Sequence, residues 1–294
     1  MFKIKIYRMR FFLKYTLAAS LLMLVFTSCE KQYEDIQQVD ERKIQEYIKA
    51  NNLNLTKDAS GIYYQILTPG TGEIAKNSDK IFFNYTAKSV DGTEYFKQDP
   101  YTVYNDFLGY VRPDGWRLAL SLLPRGGKIK VVFPSSLGFG RNGAAPFKGN
   151  EVLVSELELL NVSTQPELEE ALISKFMEIN SLPLIKHSSG VYYQIITPGT
   201  GTAITNPDAT ITMAYTGKLL NGKTFATATA DKPYKEMLSK LIIGWKEVVP
   251  LIKKGGKVRI VIPSVSGYGA STDNPNIPPN SVLDFTIDLI EVTN

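Results

Sequence analysis

The chain is poor in the side chains that carry acid–base, nucleophilic and metal chemistry. Among 294 residues there is one histidine, His187, and one cysteine, Cys29. Without a second cysteine no disulfide can form within the chain. A Ser/His/Asp or Cys/His constellation is impossible in the first 186 residues, which hold no histidine, and is disfavoured after them. His187 falls in a polar loop and is expected to face solvent. The Cys/His groupings that bind zinc are missing, so neither a metal nor a cofactor is expected. One glycine string, Gly138-Phe139-Gly140-Arg141-Asn142-Gly143, has dinucleotide spacing. It runs into Ala-Ala-Pro-Phe-Lys-Gly, a loop, where phosphate binding needs a helix amino terminus. The adjacent acids Glu169 and Glu170 read as a solvated helix surface.

Charge of one sign is concentrated in a single segment. The formal charge is +4, from 33 basic and 29 acidic residues. Five of the bases (Lys3, Lys5, Arg8, Arg10 and Lys14) lie in the first 28 residues, which hold no acid, so 28 bases face 29 acids in the rest. Nothing in that balance asks for a nucleic-acid partner. Apolar residues at 44% and charged ones at 21% belong to a folded globular chain, and the length suits about two domains. The basic start leads into an apolar run from Tyr15 to Phe26, the length of a signal-peptide core and short of the roughly 20 residues of a spanning helix. Cys29 follows in Phe26-Thr27-Ser28-Cys29. This resembles the lipobox of bacterial lipoproteins, with Phe26 where leucine is usual. The resemblance implies a signal peptide over 1–28, a lipidated Cys29 holding the protein to a membrane, and a location in the cell envelope, on the outer membrane. An ordinary secretory cleavage is the alternative. Residues 29–39 read as a polar tether, with Glu34 and Asp35 as solvated charges.

The remainder repeats itself. Ser60-Gly61-Ile62-Tyr63-Tyr64-Gln65-Ile66 through Pro69-Gly70-Thr71-Gly72 returns as Ser189-Gly190-Val191-Tyr192-Tyr193-Gln194-Ile195 through Pro198-Gly199-Thr200-Gly201, 129 residues on. The only two tryptophans, Trp116 and Trp245, match at that spacing, as do Gly126-Gly127-Lys128 with Gly255-Gly256-Lys257 and Gly138-Phe139-Gly140 with Gly267-Tyr268-Gly269. A helix precedes each copy. The first is expected from Asp40 to about Asn51, with Ile44, Tyr47 and Ile48 on its apolar face. The second has a capping box in Thr164-Gln165-Pro166-Glu167, with Ile173, Phe176 and Met177 as its apolar face. Each helix is expected to pack on its own domain; a dimerising role is the alternative, and the oligomeric state stays open. The copies divide as 40–162 and 163–294.

In the second copy, strands are expected over Val191–Ile196 and Ile211–Tyr215, then a hairpin at Asn221-Gly222 into a strand reaching Phe225. Trp245 opens a short helix with Val248, Val249 and Ile252 on its apolar side, stopped by Gly255-Gly256. Val258, Ile260 and Ile262 form a strand. In the last strand Leu283, Phe285, Ile287 and Leu289 face the core, while Asp284, Thr286 and Asp288 face water. The fold class is α+β, an antiparallel sheet wrapped on one short helix. With acid–base chemistry excluded, the aromatics around Trp245 remain: Tyr215, Phe225, Tyr234, Tyr268 and Phe285. For any one of them a plain core position is the simpler reading. Tyr215 and Tyr268, however, carry hydroxyls that want partners when buried. Tyr234 and Tyr268 also stand in glycine- and proline-flanked segments of the kind that rim pockets.

Tyr215-Thr216-Gly217, Asn221-Gly222-Lys223-Thr224-Phe225, Ile243-Gly244-Trp245, Gly267-Tyr268-Gly269, Ile277-Pro278-Pro279-Asn280 and Phe285 resemble, in order and spacing over about residues 188–292, the motifs of FKBP-type peptidyl-prolyl cis-trans isomerases. The resemblance implies two five- or six-stranded antiparallel half-barrels, each around a short helix, and a binding pocket for proline-containing polypeptides. By the same resemblance Trp245 is the pocket floor and Tyr215, Phe225, Tyr234 and Phe285 are walls. Leu241 and Ile242 lie along the rim, Ile242 offering its backbone N–H to a substrate carbonyl. Tyr268 donates its hydroxyl to another carbonyl, and Ile277 closes the top. Tyr215, Phe225, Trp245 and Tyr268 are the implied catalytic residues.

Two departures bear on activity. Ala226 stands where the family has aspartate. The first copy keeps Tyr85 and Trp116 but has Tyr95 for the phenylalanine, Phe96 for the aspartate, Phe139 for the hydroxyl-bearing tyrosine and Ser155 for the last aromatic, so it is expected to be a fold without isomerase activity. Two readings of the chain follow: an isomerase acting through its second copy, or a pair of peptide-binding modules that do not turn over.

Overall fold

The computed structural model describes residues 34–97 and 99–294. The leader and Cys29 lie outside the described residues.

The first copy opens with helix α1 (Ile36–Ala50), which begins four residues before the expected Asp40. Asp35 is its amino-terminal cap, accepting from the Gln37 N–H, and Glu34 pairs with Arg42. The two acids are exposed, as expected, and also serve the start of the helix. Strands β1 (Thr56–Lys57), β2 (Tyr63–Thr68), β3 (Lys80–Tyr85), β4 (Ala87–Ser89), β5 (Glu94–Phe96) and β6 (Tyr104–Phe107) precede the short helix α2 (Asp114–Ser121); β7 (Lys128–Phe133) and β8 (Leu153–Leu159) complete the sheet. The second copy repeats the order: α3 (Gln165–Ile179), β9 (Ile185–Lys186), β10 (Tyr192–Thr197), β11 (Thr210–Leu219), β12 (Thr224–Ala228), β13 (Tyr234–Met237), α4 (Ile243–Val248), β14 (Lys257–Ile262) and β15 (Leu283–Thr293). The capping box at Thr164 and Glu167 is formed, with Pro166 in the first turn.

Each copy is one antiparallel sheet, of eight and seven strands respectively. The count exceeds five or six because a two-residue strand flanks β2 and β10, and because β3 and β4 split what β11 does as one element. In the second copy the order is β12-β11-β15-β14-β10-β9, with β13 on the first half of β11 and β12 on its second half. Sharing that edge brings Phe225 on β12 and Tyr234 on β13 to the strand that carries Tyr215.

Both faces of each sheet are covered. The concave face holds the short helix: Trp245, Val248, Val249 and Ile252 pack on Val258, Ile260, Ile262, Phe285 and Ile287. Contact is close because Gly244 faces the sheet, where an added Cβ would stand 2.6 Å from two carbons of Ile262. The outer face takes the long helix: Ile173 and Phe176 pack on Tyr192, Val261 and Val282, and Ile44 packs on Tyr63, Val132 and Val154. Each helix thus lies on its own domain, and the paired valines Val131-Val132 are explained: one residue faces each helix. Two sequence expectations change for this reason. Asp284 does not face water; it is buried under α3, where Arg259 holds it with two hydrogen bonds of 2.9 and 2.8 Å and the guanidinium lies 5.5 Å from the Phe176 ring. Glu169 is not a solvated surface acid either. It is 3% exposed and accepts from the backbone N–H and the hydroxyl of Ser264.

Candidate active site

Trp245 sits in the first turn of α4 and is buried against β15. Around it the rings meet edge to face: Tyr215 at 5.1 Å between centroids, Phe285 at 5.1 Å and an interplanar angle of 89°. Phe225 meets Phe285 at 5.4 Å and 88°, and Tyr234 meets Tyr215 at 6.0 Å and 82°. Edge-to-face contact is the arrangement that aromatic pairs prefer over a face-to-face sandwich. The floor is buried, whereas Tyr215 and Phe225 are half-buried and Tyr234 and Tyr268 are exposed at the rim. Ile277 is 4% exposed beneath its loop, and Leu241 and Ile242 are half-buried beside the start of α4. Ile242 is the amino-terminal cap of α4, so its N–H belongs to the donors that a helix leaves without an internal partner. The structure therefore gathers in one place the residues assigned from the sequence to floor, walls and rim. Burial raises the Tyr215 hydroxyl pKa above its ordinary value, and the nearby phenols of Tyr268 and Tyr234 add to it. Burial likewise raises Tyr268 above its ordinary value, with Tyr234 adding to it.

Gly217, beside Tyr215 on β11, makes the walls possible. A Cβ there would stand 2.6 Å from Phe285 and 2.8 Å from Phe225. In the first copy the matching residue is Ala87, and the facing position is Ser155 rather than a ring.

The hydrogen-bond inventory of the two copies differs more than their shape. In the second, the hydroxyls of Tyr215, Tyr234 and Tyr268 have no hydrogen-bond partner among the described residues, and the buried Trp245 Nε1–H has none either. In the first copy the counterparts are committed. Trp116 Nε1–H donates to Ser155 Oγ at 2.8 Å, the Tyr95 hydroxyl donates to Glu151, and the Tyr85 and Tyr104 rings lie 4.5 Å apart between centroids. Phe147, from the Ala-Ala-Pro-Phe loop, fills the space over Trp116: it stacks on Phe139 at 4.1 Å and touches Tyr95 at 4.6 Å and Phe96 at 5.8 Å. The amino-terminal cap of α2 is Pro113, which has no N–H to offer where Ile242 has one. Sequence reasoning missed both Phe147 and Pro113. Pro113 was legible as the residue opening the short helix; Phe147 was not, because its loop differs from its counterpart by one residue.

His187 is hydrogen-bonded through Nδ1 to Ser189 Oγ at 2.8 Å, and its ring meets Tyr193 edge to face at 6.1 Å. No group of acids, histidines or cysteines able to hold a metal occurs among the described residues.

A family model described as FKBP-type peptidyl-prolyl cis-trans isomerase matches residues 71–160 and 201–290, one match per copy. An FKBP-type peptidyl-prolyl cis-trans isomerase from Buchnera aphidicola is 41% identical over 123 residues, 42% of this chain and 48% of that protein. FkpA of Escherichia coli is 31% identical over 151 residues, 49% of this chain and 54% of its own length. The outer membrane protein MIP of Legionella longbeachae is 38% identical over 105 residues, 35% and 45% of the two lengths. The chain thus spans about half the length of the curated relatives it matches. The crystal structure of the E. coli protein aligns at 30% identity over 43% of this chain and 67% of that one, with a TM-score of 0.36. Carrying the family's domain twice, the chain belongs to the FKBP-type peptidyl-prolyl cis-trans isomerases.

Proposed function

We propose that the second copy isomerises prolyl peptide bonds in polypeptides of the cell envelope, and that the first copy is catalytically silent. The observation that carries this reading is the contrast in uncommitted donors. The second copy keeps three hydroxyls, an indole N–H and a helix-start N–H free around the Trp245 ring cluster. In the first copy the indole N–H is paired with Ser155, Phe139 stands in place of Tyr268 and Pro113 in place of Ile242.

The chemistry asks for nothing else. The bond before proline is held planar by resonance, with a barrier of about 18–20 kcal/mol, and it isomerises unaided in tens of seconds. Twisting it removes the charge separation of the planar amide, so the apolar ring cluster around Trp245 favours the twisted bond over the planar one. Ile242 N–H and the Tyr268 hydroxyl hold the flanking carbonyls while the ring sits against the indole. A million-fold gain corresponds to about 8 kcal/mol, supplied here by shape and solvation rather than by proton transfer.

The leader and Cys29 support a lipid-anchored protein of the envelope, a setting shared with the outer membrane protein among its relatives. Among the described residues no helix is long and apolar enough to cross a membrane. A second reading, peptide binding without turnover, is favoured by Ala226, which pairs with Gly217 in the sheet and offers Tyr215 no acceptor. The test is isomerisation of a Pro-containing peptide. Phe225→Ala is expected to lower kcat/KM by at least tenfold, since it removes a wall about the size of the ring it would contact. Background rates from the unaltered protein, together with suppression of aggregation, would select the second reading.

A further inference from the structure

The buried acid on the long helix of each copy has no part in the isomerisation described above, yet it reaches the loops that form the rim. Glu169, in the second turn of α3, lies on the outer face of the sheet. Its two carboxylate oxygens accept from the Ser264 backbone N–H at 2.8 Å and the Ser264 hydroxyl at 2.6 Å, and Oε1 also accepts from the Gln165 side-chain amide at 2.9 Å. Ser264 opens a 3-10 turn, Ser264–Ser266, that delivers the chain into Gly267-Tyr268-Gly269. From there the bonds continue. The Ser264 carbonyl accepts from the N–H groups of Gly267 at 2.9 Å and Gly269 at 2.8 Å, and the Gly269 carbonyl accepts from the Asn280 N–H at 2.8 Å. Asn280 ends the Ile277-Pro278-Pro279 loop with a left-handed φ of 58°. One unbroken chain of hydrogen bonds thus runs from the helix carboxylate to both loops that close the site.

The first copy repeats it. Asp40 on α1 accepts from the Ser135 N–H at 2.9 Å and hydroxyl at 2.6 Å, Gly140 N–H donates to the Ser135 carbonyl at 2.9 Å, and Asn150 N–H donates to the Gly140 carbonyl at 2.8 Å. There the latch holds loops that carry Phe139 and Phe147 instead. A buried carboxylate accepting charge-assisted bonds at the start of a turn fixes its geometry more firmly than packing alone.

We propose that Glu169 is a positioning residue for the prolyl site: through Ser264 it sets where the Tyr268 hydroxyl and the Ile277 loop stand. The long helix is then a working part of the domain and not only a cover for the sheet. This inference rests on the reading of Tyr268 as a substrate-binding donor.

The test is a double-mutant cycle in the whole protein, with kcat and KM measured separately and backbone amide exchange recorded over residues 264–280. Glu169→Gln leaves one carbonyl oxygen for three donors, the Ser264 N–H, the Ser264 hydroxyl and the Gln165 amide. It is expected to lower kcat/KM by about tenfold, the worth of one charge-assisted hydrogen bond, and to speed exchange at Gly267, Gly269 and Asn280. On a Tyr268→Phe background the same change is expected to cost little further, because the hydroxyl it positions is gone. Asp40→Asn, which opens the matching latch in the first copy, is expected to leave kcat/KM unchanged. Ser264→Ala is the milder variant should Glu169→Gln fail to fold, with the same direction in both readouts. Equal losses on both backgrounds, or unchanged exchange in the loop, would overturn the proposal. If the unaltered protein shows no turnover, the reading of the site fails by itself, and loop exchange alone decides the latch.

Discussion

At Gly217 the rings of Phe225 and Phe285 come nearer to the backbone than any side chain permits. Glycine there and a ring at 285 form one choice, and alanine at 87 with serine at 155 form the other. Gly217→Ala is therefore expected to cost about 1–3 kcal/mol of stability, the usual range for overpacking, and to displace the Phe225 wall; thermal unfolding and peptide turnover measure the two effects. The tyrosines at this site set its pH behaviour. Tyr215 and Tyr268 have pKa values raised above the ordinary tyrosine value of about 10, first by burial and then by neighbouring phenols. Both stay protonated donors well past neutral pH, and the lone histidine is bonded to Ser189. Turnover is expected to be flat between about pH 6 and pH 9 and to fall only above about pH 10; a rate profile checks this, and a bell centred near neutrality would contradict it. At this scale the sequence was informative. Trp245, Tyr215, Phe225, Tyr234 and Phe285 were identifiable because ring types at those spacings are uncommon outside one architecture. The uncommitted state of their hydroxyls was not, since it depends on which partners the fold fails to supply.

The elements most misjudged from the sequence are the long helices. Their apolar faces were legible from spacing, but Glu169 and Asp40 break the rule that acids face water. Only the register between helix and sheet, set by Ile173 and Phe176 against Val261, brings Glu169 to Ser264. Asp284 was misjudged for the same reason: alternation predicts which face a residue takes, not what covers that face. One helix-to-strand tie recurs in both copies. Glu170 accepts from Lys186 Nζ at 2.8 Å and from the Tyr192 hydroxyl; Glu41 does the same with Lys57 at 3.1 Å and Tyr63. Burial by itself would raise the Glu170 carboxyl, but Lys186 and Tyr192 outweigh it and hold its pKa below the ordinary value. For Glu41 the Tyr63 hydroxyl is the largest cause of the same lowering. A depressed carboxyl stabilises the fold above its unfolded pKa of about 4.3 and loses that contribution as pH falls through the folded value. These groups are half-exposed, so each is worth under about 1 kcal/mol. Glu170→Gln is expected to flatten the stability curve slightly between about pH 5 and pH 3 and to leave stability at lower pH unchanged, as read from urea midpoints across that range.

For the molecule as a whole, the repeat was visible because glycine and tryptophan positions recur at one spacing, and those positions are dictated by turns and by the helix that crosses the sheet. What separates the copies was only partly visible. Loss of the Tyr268 hydroxyl at Phe139 could be read directly; the place of Phe147 over Trp116 needed the loop's path. Two copies of one fold thus follow each other in the chain, one with an aromatic cluster and unspent donors, the other with Phe147 over its tryptophan and the indole N–H paired. The most direct measurement compares Trp245→Ala with Trp116→Ala in the full protein, using a proline-containing peptide and stopped-time isomerisation. The account predicts that Trp245→Ala lowers kcat/KM by at least about tenfold while Trp116→Ala, though it destabilises its own domain, leaves kcat/KM unchanged. Equal loss from both, or turnover that survives without Trp245, would contradict it.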